Sequence, residues 1–303
     1  MKPQLSVILC SHNPRPAYLQ ECLAALRAQT LPSTEWELLL IDNASSPTLR
    51  SSVELNWHPQ ARIILEPHLG LTHARLCGFA HASADTYVLV DDDNVLASHY
   101  LENVLSILQR HPRLGVCGAS ITGQFELEPP QWILQDLIYL AVRPLKERSI
   151  AETPSQGFLT PAGAGMVVTR AVASYYEKLI AQDKRRQTLD RQGQILASCG
   201  DTDLALCAWD MQLGIGHFPE LQLTHLIPKE RLCLSYMVKL HEGMAYSEAF
   251  LQRLRGTAAK KNISCWRRWK TWLRIYLKEP KEKRALYRAH LRGRAKAKRE
   301  AFS

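Results

Sequence analysis

The sequence predicts an α/β protein built on a doubly wound, mainly parallel sheet. Two observations carry this. Short β-favouring runs alternate with helical patterns along the first 120 residues, the signature of strand–helix–strand units. Three of those runs also stop at a polar cluster, at Ser11–Asn13, Asp42–Asn43 and Asp91–Asn94. Open sheets of this kind bind ligands beyond the carboxyl ends of their strands, so three coincident polar ends mark a nucleotide-sized cleft.

The elements follow in order. Leu5 to Cys10 reads as a buried strand ending at Ser11-His12-Asn13-Pro14, and Tyr18, Leu19, Cys22, Leu23 and Leu26 share one side of a helix that closes near Gln29–Pro32. Glu37 to Ile41 is a second strand and Arg62 to Glu66 a third, followed by a helix from Thr72 to Ala82 and a fourth strand, Tyr87 to Val90. A helix from Tyr100 to Gln109 and a strand from Leu114 to Gly118 complete the first half. Residues 125–160, interrupted by Pro129, Pro130, Pro144 and Pro154, read as an insertion carrying one helix from Ile133 to Val142. Gly163-Ala164-Gly165 leads into a strand; its glycines either admit a sugar ring or make a tight turn. Asp201 opens a helix whose apolar face includes Leu204, Ala205, Ala208 and Trp209, and it is either a helix-terminal acid or a base aimed into the cleft. Leu221 to Pro228 holds His225 and leads to Lys229-Glu230-Arg231. These patterns divide the chain into one domain over 1–250, with a nucleotide-side half (1–120) and an acceptor-side half (121–250), and a basic tail over 251–303.

Charge separates the same two parts. Of 38 Lys and Arg, 18 lie in residues 253–300 beside 3 of the 29 Asp and Glu, leaving 20 basic against 26 acidic residues in the body. The eight cysteines stand singly, with no CxxC pair, which argues against a zinc site or a disulfide framework and for reduced core residues in the cytoplasm. The amino-terminal residues lack the apolar stretch of a secretory signal, and no apolar run approaches the roughly 18 residues of a membrane span.

Asp91-Asp92-Asp93 poses the sharpest chemical question. Adjacent ionised carboxylates at the end of a buried strand repel, and each resists burial without a partner. Residues two apart on extended chain share a face, so Asp91 and Asp93 aim one way. A hard divalent cation bound to phosphate oxygens relieves the repulsion; a solvated acidic turn is the simpler alternative.

The motifs SVILCSHN, ELLLIDNAS, HLGLTHAR, YVLVDDDN, GAGMVVTR, GDTDLAL and LTHLIPKER occur in an order and spacing that resembles the family 2 inverting glycosyltransferases, over about residues 4–245. That resemblance implies a GT-A fold, a nucleotide-diphosphate sugar as donor, and a glycan or lipid-linked acceptor in bacterial surface polysaccharide synthesis. It implies that Asp42 holds the nucleoside base with Ser11 and Asn13 nearby, and that Arg75 steadies the diphosphate or base. The DDDN run matches the family's DXD signature: Asp93 is then the principal ligand of Mn²⁺ or Mg²⁺, and Asp91 or Asp92 reaches the ribose or completes the metal site. Gly163 and Gly165 would border the sugar, His225 would complete the metal site, Arg231 would sit by the phosphates and Asp201 would be the general base. Two departures stand out. The glutamate usual before the catalytic aspartate is Gly200, with Asp203 two residues beyond Asp201, and the family's flanking asparagines are His68 and Leu76.

In the tail, Trp266, Trp269, Leu273 and Tyr276 recur at helical spacing among Arg and Lys, and a second basic segment follows Pro280. Aromatic residues opposite cations describe an interfacial helix on an anionic membrane surface, which implies a peripheral enzyme at the cytoplasmic face of the inner membrane; packing on the domain is the alternative. No nucleic-acid-binding motif is present, so no nucleic-acid partner is expected. A sugar-nucleotide pyrophosphorylase would need a glycine-rich loop after the first strand, and SHNPRPAYL has no glycine. The non-enzymatic alternative is a degenerate transferase domain that binds a nucleotide sugar or glycan or serves as a membrane scaffold, to which Gly200 lends support.

Overall fold

The computed structural model describes residues 2–154, 158–193, 196–257, 276 and 279–299. Its centre is a nine-stranded sheet formed by β1 (Leu5–Ser11), β2 (Trp36–Asn43), β3 (Ala61–Glu66), β4 (Thr86–Asp91), β5 (Asn94–Leu96), β6 (Leu114–Phe125), β7 (Ser149–Ala151), β8 (Val167–Thr169) and β9 (Gly214–Ile227). The strand order is β3-β2-β1-β4-β8-β6-β9-β5, with β7 also paired to β9. β3, β2, β1 and β4 are mutually parallel, as are β6 and β9, whereas the short strands β8, β5 and β7 join their neighbours antiparallel.

Alternation along the central strands explains the two layers. Leu5, Val7 and Leu9 of β1, Leu38 and Leu40 of β2 and Val88 and Val90 of β4 face one core with Leu19, Cys22 and Leu26 of α1 (Pro16–Arg27) and Tyr100, Val104 and Ile107 of α3 (Tyr100–Arg110). The intervening Ile8, Leu39, Ile41, Tyr87 and Leu89 face the other core, against α2 (Leu71–His81), α4 (Arg170–Gln182) and α5 (Gly200–Asp210). A strand buried on both faces reads as a continuous apolar run, which is how β1, β2 and β4 appear in the sequence. At roughly 1.5–3 kcal/mol for each large apolar side chain removed from water, these two layers supply the main driving force for folding.

The second half departs from the sequence reading. β6 runs for 12 residues, well past the expected Gly118, because it pairs along β9 as far as Phe125↔Ile227. The expected helix from Ile133 to Val142 is instead 3₁₀ turns over Gln131–Leu140, closed by Ala141 at φ 59°. α4 and α6 (Leu234–Leu254) have no counterpart in that reading, and α6 runs across the composition boundary at residue 250.

A smaller core joins Ile133 and Leu140 to Ile227, Met237, Leu240 and Leu286. Leu286 belongs to α7 (Lys281–Arg299), the second basic segment, which buries Leu286, Ala289, Gly293 and Ala297. A Cβ at Gly293 would lie 2.1 Å from the Glu242 carbonyl oxygen, so glycine permits α7 to lie directly on α6. Arg292 pairs with Glu242 at 2.8 Å, and Lys283 pairs with Asp136. The aromatic stripe of Trp266, Trp269 and Leu273 lies outside the described residues. Among the described residues no helix is long and apolar enough to cross a membrane. The seven described cysteines are all free, five of them buried.

His58 gives the fold a measurable pH dependence. Its ring is buried edge-on against Trp36, with centroids 4.2 Å apart, and burial lowers its pKa to about 4 from an ordinary 6.5. Below pH 6.5 the unfolded chain therefore takes up a proton that the folded protein refuses until near pH 4, so stability is lost as pH falls through that window. The wild type should lose roughly 2 kcal/mol more than His58→Gln between pH 6.5 and 4.5 by urea denaturation, from about 1.4 kcal/mol per pKa unit. Equal losses would show that His58 titrates alike in both states.

Candidate active site

Beyond the carboxyl ends of β1, β2 and β4 lies a cleft of about 520 Å³, bordered by Ser11, Asn43 and Asp91 and closed on its far side by His241 and Glu248 of α6 and His290 of α7. This volume falls in the range that accepts a small organic ligand.

The three aspartates reach the cleft as β4 ends and β5 begins. Asp92 accepts a hydrogen bond from Ser11 Oγ at 2.6 Å. Burial, then repulsion from Asp93, pushes its carboxyl up to about 7 despite that bond. Burial and Asp93 likewise raise Asp91, with Arg75 and Arg191 opposing. Burial works to raise Asp93 as well, but His225 and Arg231 outweigh it and hold that carboxyl well below the usual carboxylate range. Arg231 Nη1 lies 3.0 Å from Asp93 Oδ2 and 3.1 Å from His225 Nε2, and those two acceptor atoms are 3.3 Å apart.

The imidazole is oriented from behind. His225 Nδ1 lies 2.8 Å from the Leu140 carbonyl oxygen, which only accepts, so Nδ1 keeps a proton and Nε2 is the nitrogen turned to the cleft, where a neutral ring presents a lone pair. A carboxylate oxygen and an imidazole lone pair therefore converge on one point, bridged by a guanidinium nitrogen. Asp93 and His225 fit a hard or borderline divalent cation as a two-residue donor set. Among the described residues no three His, Cys, Asp or Glu side chains form a complete metal group, and Asp91 does not close one.

Opposite them, Asp201 sits in the first turn of α5 with Oδ2 accepting from Gly163 N at 2.9 Å and Oδ1 from Thr202 N at 2.7 Å. Gly163 is where the chain must come close: a Cβ there would lie 2.3 Å from Arg75 Nη2. Arg75 is almost fully buried and pairs through Nη1 with Asp190 Oδ2 at 3.0 Å, and Asp190 also accepts from Thr72 Oγ1 at 3.2 Å. Burial opposes the arginine's charge, but Asp190 and Asp91 more than restore it.

Nine of the residues singled out in the sequence line this one cleft: Ser11, Arg75, Asp91, Asp92, Asp93, Gly163, Asp201, His225 and Arg231. Three stand behind it. Asp42 is buried, and its two oxygens accept from Ser45 N at 3.0 Å and Leu49 N at 2.8 Å, so its carboxylate builds the loop. Asn13, at φ 46°, accepts from Ser46 N through Oδ1 in the same loop, and Asn43 secures the adjoining turn by accepting from Gly70 N at 2.8 Å. Gly165, at φ 68°, meets the core, where a Cβ would lie 2.4 Å from Leu223; it serves the turn. The sequence reading does not reach Asp190, Arg143 or His290, which also line the cleft. Asp190 lies in a segment without a recognised motif, Arg143 just beyond the expected helix of the insertion, and His290 within the basic tail.

Adding one methyl group should test how tightly these groups are packed. Gly163→Ala forces Arg75 from its place and should cost roughly 1–3 kcal/mol in urea denaturation, the usual penalty of overpacking. Unchanged stability would mean that the guanidinium yields freely.

Comparison with known proteins agrees with the fold and the order of the motifs. The family model described as glycosyl transferase family 2 matches residues 6–169, more than half of the chain. A relative from Erwinia amylovora, "Amylovoran biosynthesis glycosyltransferase AmsE", is 28% identical over 120 residues, covering 38% of this chain and 44% of the relative. The chain thus matches less than half the length of that relative. Among solved structures, residues 1–349 of S. aureus TarS superpose with a TM-score of 0.53 at 15% identity, over 97% of this chain and 80% of that one. The same protein in complex with UDP gives a TM-score of 0.52 at 16% identity, over 97% and 89% of the two chains. With its α/β sheet of the GT-A kind and its family match across the strands that carry the aspartates, the chain belongs to glycosyl transferase family 2.

Proposed function

We propose that this protein transfers a sugar from a nucleotide-diphosphate donor to a hydroxyl of a glycan or lipid-linked acceptor, with inversion at the anomeric carbon, in surface polysaccharide synthesis. One observation carries the reading: a single cleft gathers the Asp93–His225–Arg231 cluster and, from a different element, Asp201 held by two backbone N–H groups. Support also comes from the relative named for amylovoran biosynthesis and from the TarS structures in complex with UDP and UDP-GlcNAc.

In this mechanism Asp93 and His225 would hold Mn²⁺ or Mg²⁺. When bound, the ion neutralises charge that develops on the departing diphosphate. The residues do the rest. Arg231, beside Asp93 in the cleft, offers its guanidinium to the phosphates, and Arg75 supplies a buried positive charge. Gly163 and Thr202 N–H groups aim the Asp201 carboxylate, which takes the proton of the acceptor hydroxyl as that oxygen attacks from the face opposite the diphosphate. No covalent intermediate forms, so configuration inverts. Ser11 and Asp92 border the donor side, with Asp42 and Asn13 shaping the loop beneath it.

The basic face of α7 fits an anionic membrane that presents lipid-linked acceptors. Arg288, Lys298 and Arg299 are exposed beyond the face packed on α6.

Two outcomes test these readings. Release of UDP from UDP-GlcNAc in Mn²⁺ should fall by roughly 10²–10⁴-fold in Asp201→Asn while UDP binding survives, the usual contribution of a general base. Full turnover in that variant would remove Asp201 from the role. Replacing Arg288, Lys298 and Arg299 together with Glu should abolish co-sedimentation with phosphatidylglycerol vesicles while leaving the melting temperature intact; undiminished sedimentation would rule out α7 as the contact.

A further inference from the structure

We propose that Asp190, from the segment leading into α5, places its carboxylate in the volume that a side chain at position 200 would occupy, and that it is a positioning residue for the catalytic cleft. The mechanistic part of this rests on the transferase reading above; the structural part does not.

Gly200 is not glycine for its backbone, since it is absent from the positive-φ glycines. It is glycine for space. A Cβ built there would lie 2.1 Å from Asp190 Oδ2, 2.3 Å from Cγ and 2.8 Å from Oδ1, so all three nearest atoms belong to one carboxyl group. Contacts below 3.0 Å are excluded, and a side chain at 200 and the present Asp190 carboxylate therefore occupy the same volume. The backbones meet next door, where Cys199 N donates to Leu189 O at 2.8 Å. The space that a side chain immediately before Asp201 would take is filled by the carboxylate of residue 190.

The carboxylate has work to do there. Asp190 and Arg75 are each 4% exposed in their side chains, and an isolated buried ion pair is seldom more stable than apolar groups of the same shape. Its effect is on direction. Bonded through Nη1 to Asp190, the guanidinium turns Nη2 toward Gly163, whose N–H in turn holds Asp201. Without Asp190, the carboxylates left to Arg75 are Asp91 and Asp201, both close enough to act on its charge. Pairing with either would take the arginine out of position and occupy a carboxylate that the reaction uses.

A two-site cycle tests this. Asp190→Asn keeps the shape and should fold, but kcat for UDP release from UDP-GlcNAc should fall by roughly 10²-fold, the scale for misplaced groups around a reacting centre. Gly200→Glu alone should lower the melting temperature and inactivate the enzyme. In an Asp190→Gly background the same Gly200→Glu change should raise the melting temperature and return kcat to within about tenfold of wild type, because the carboxylate comes back from the other side. Wild-type kcat in Asp190→Asn, or a double variant no more active than Asp190→Gly, overturns the positioning role. Equal melting penalties for Gly200→Glu in both backgrounds overturn the shared-space claim, and that arm needs no turnover. A wild type that releases no nucleotide from any sugar nucleotide would instead defeat the transferase reading, with the melting cycle still deciding the structural claim.

Discussion

Three consecutive carboxylates cannot stay at the end of a buried strand without positive charge brought to them, and the cleft is arranged around that requirement. Asp93 remains ionised in a buried place because Arg231 and His225 both reach it, while Asp92, with a hydroxyl as its hydrogen-bond donor, is pushed toward neutrality. Arg75 and Arg191 complete the surrounding positive charge. These partners come from different elements: Arg75 from α2, His225 from β9 and Arg231 from the turn after it. Unlike charges drawn from so many segments bind the two halves of the sheet to one site.

Much of this was legible in the sequence because strands buried on both faces announce themselves. β1, β2 and β4 read as continuous apolar runs, and the polar residues at their ends either line the cleft, as Ser11, Asn43 and Asp91 do, or build the loop behind it, as Asp42 and Asn13 do. The second half was harder. β6 and β9 extend far beyond the sheet's centre, and their outer residues alternate polar and apolar on a partly exposed ladder. The segment Gln131–Leu140 carries helical apolar spacing, yet it coils as 3₁₀ turns because its contacts are to β9 and α6 rather than to a flat sheet. Tertiary contacts of that kind leave no local periodicity.

Site residues divide along the same line. Those carried by strand ends or by helix starts, such as Asp93 and Asp201, were visible as motifs. Asp42 and Asn13 were visible too, but their polar atoms are taken up by the loop behind the cleft, and no pattern of residue types separates a binding carboxylate from one that caps backbone amides. Asp190 lay beyond sequence reading because its partners Thr72 and Arg75 are more than a hundred residues away. The tail tells a similar story: its charge was plain, whereas the small residues Ala289, Gly293 and Ala297 that dock α7 onto α6 look unremarkable in a run of Arg and Lys.

The account stands on Asp93 and His225 as the place where a cation meets the diphosphate. Calorimetric titration of UDP into the full chain, with Mn²⁺ and then with EDTA, measures that directly. Binding should require Mn²⁺ and should disappear in Asp93→Asn even when Mn²⁺ is saturating. Equal affinity in EDTA, or an Asp93→Asn protein that binds Mn²⁺ and UDP like the wild type, would contradict it.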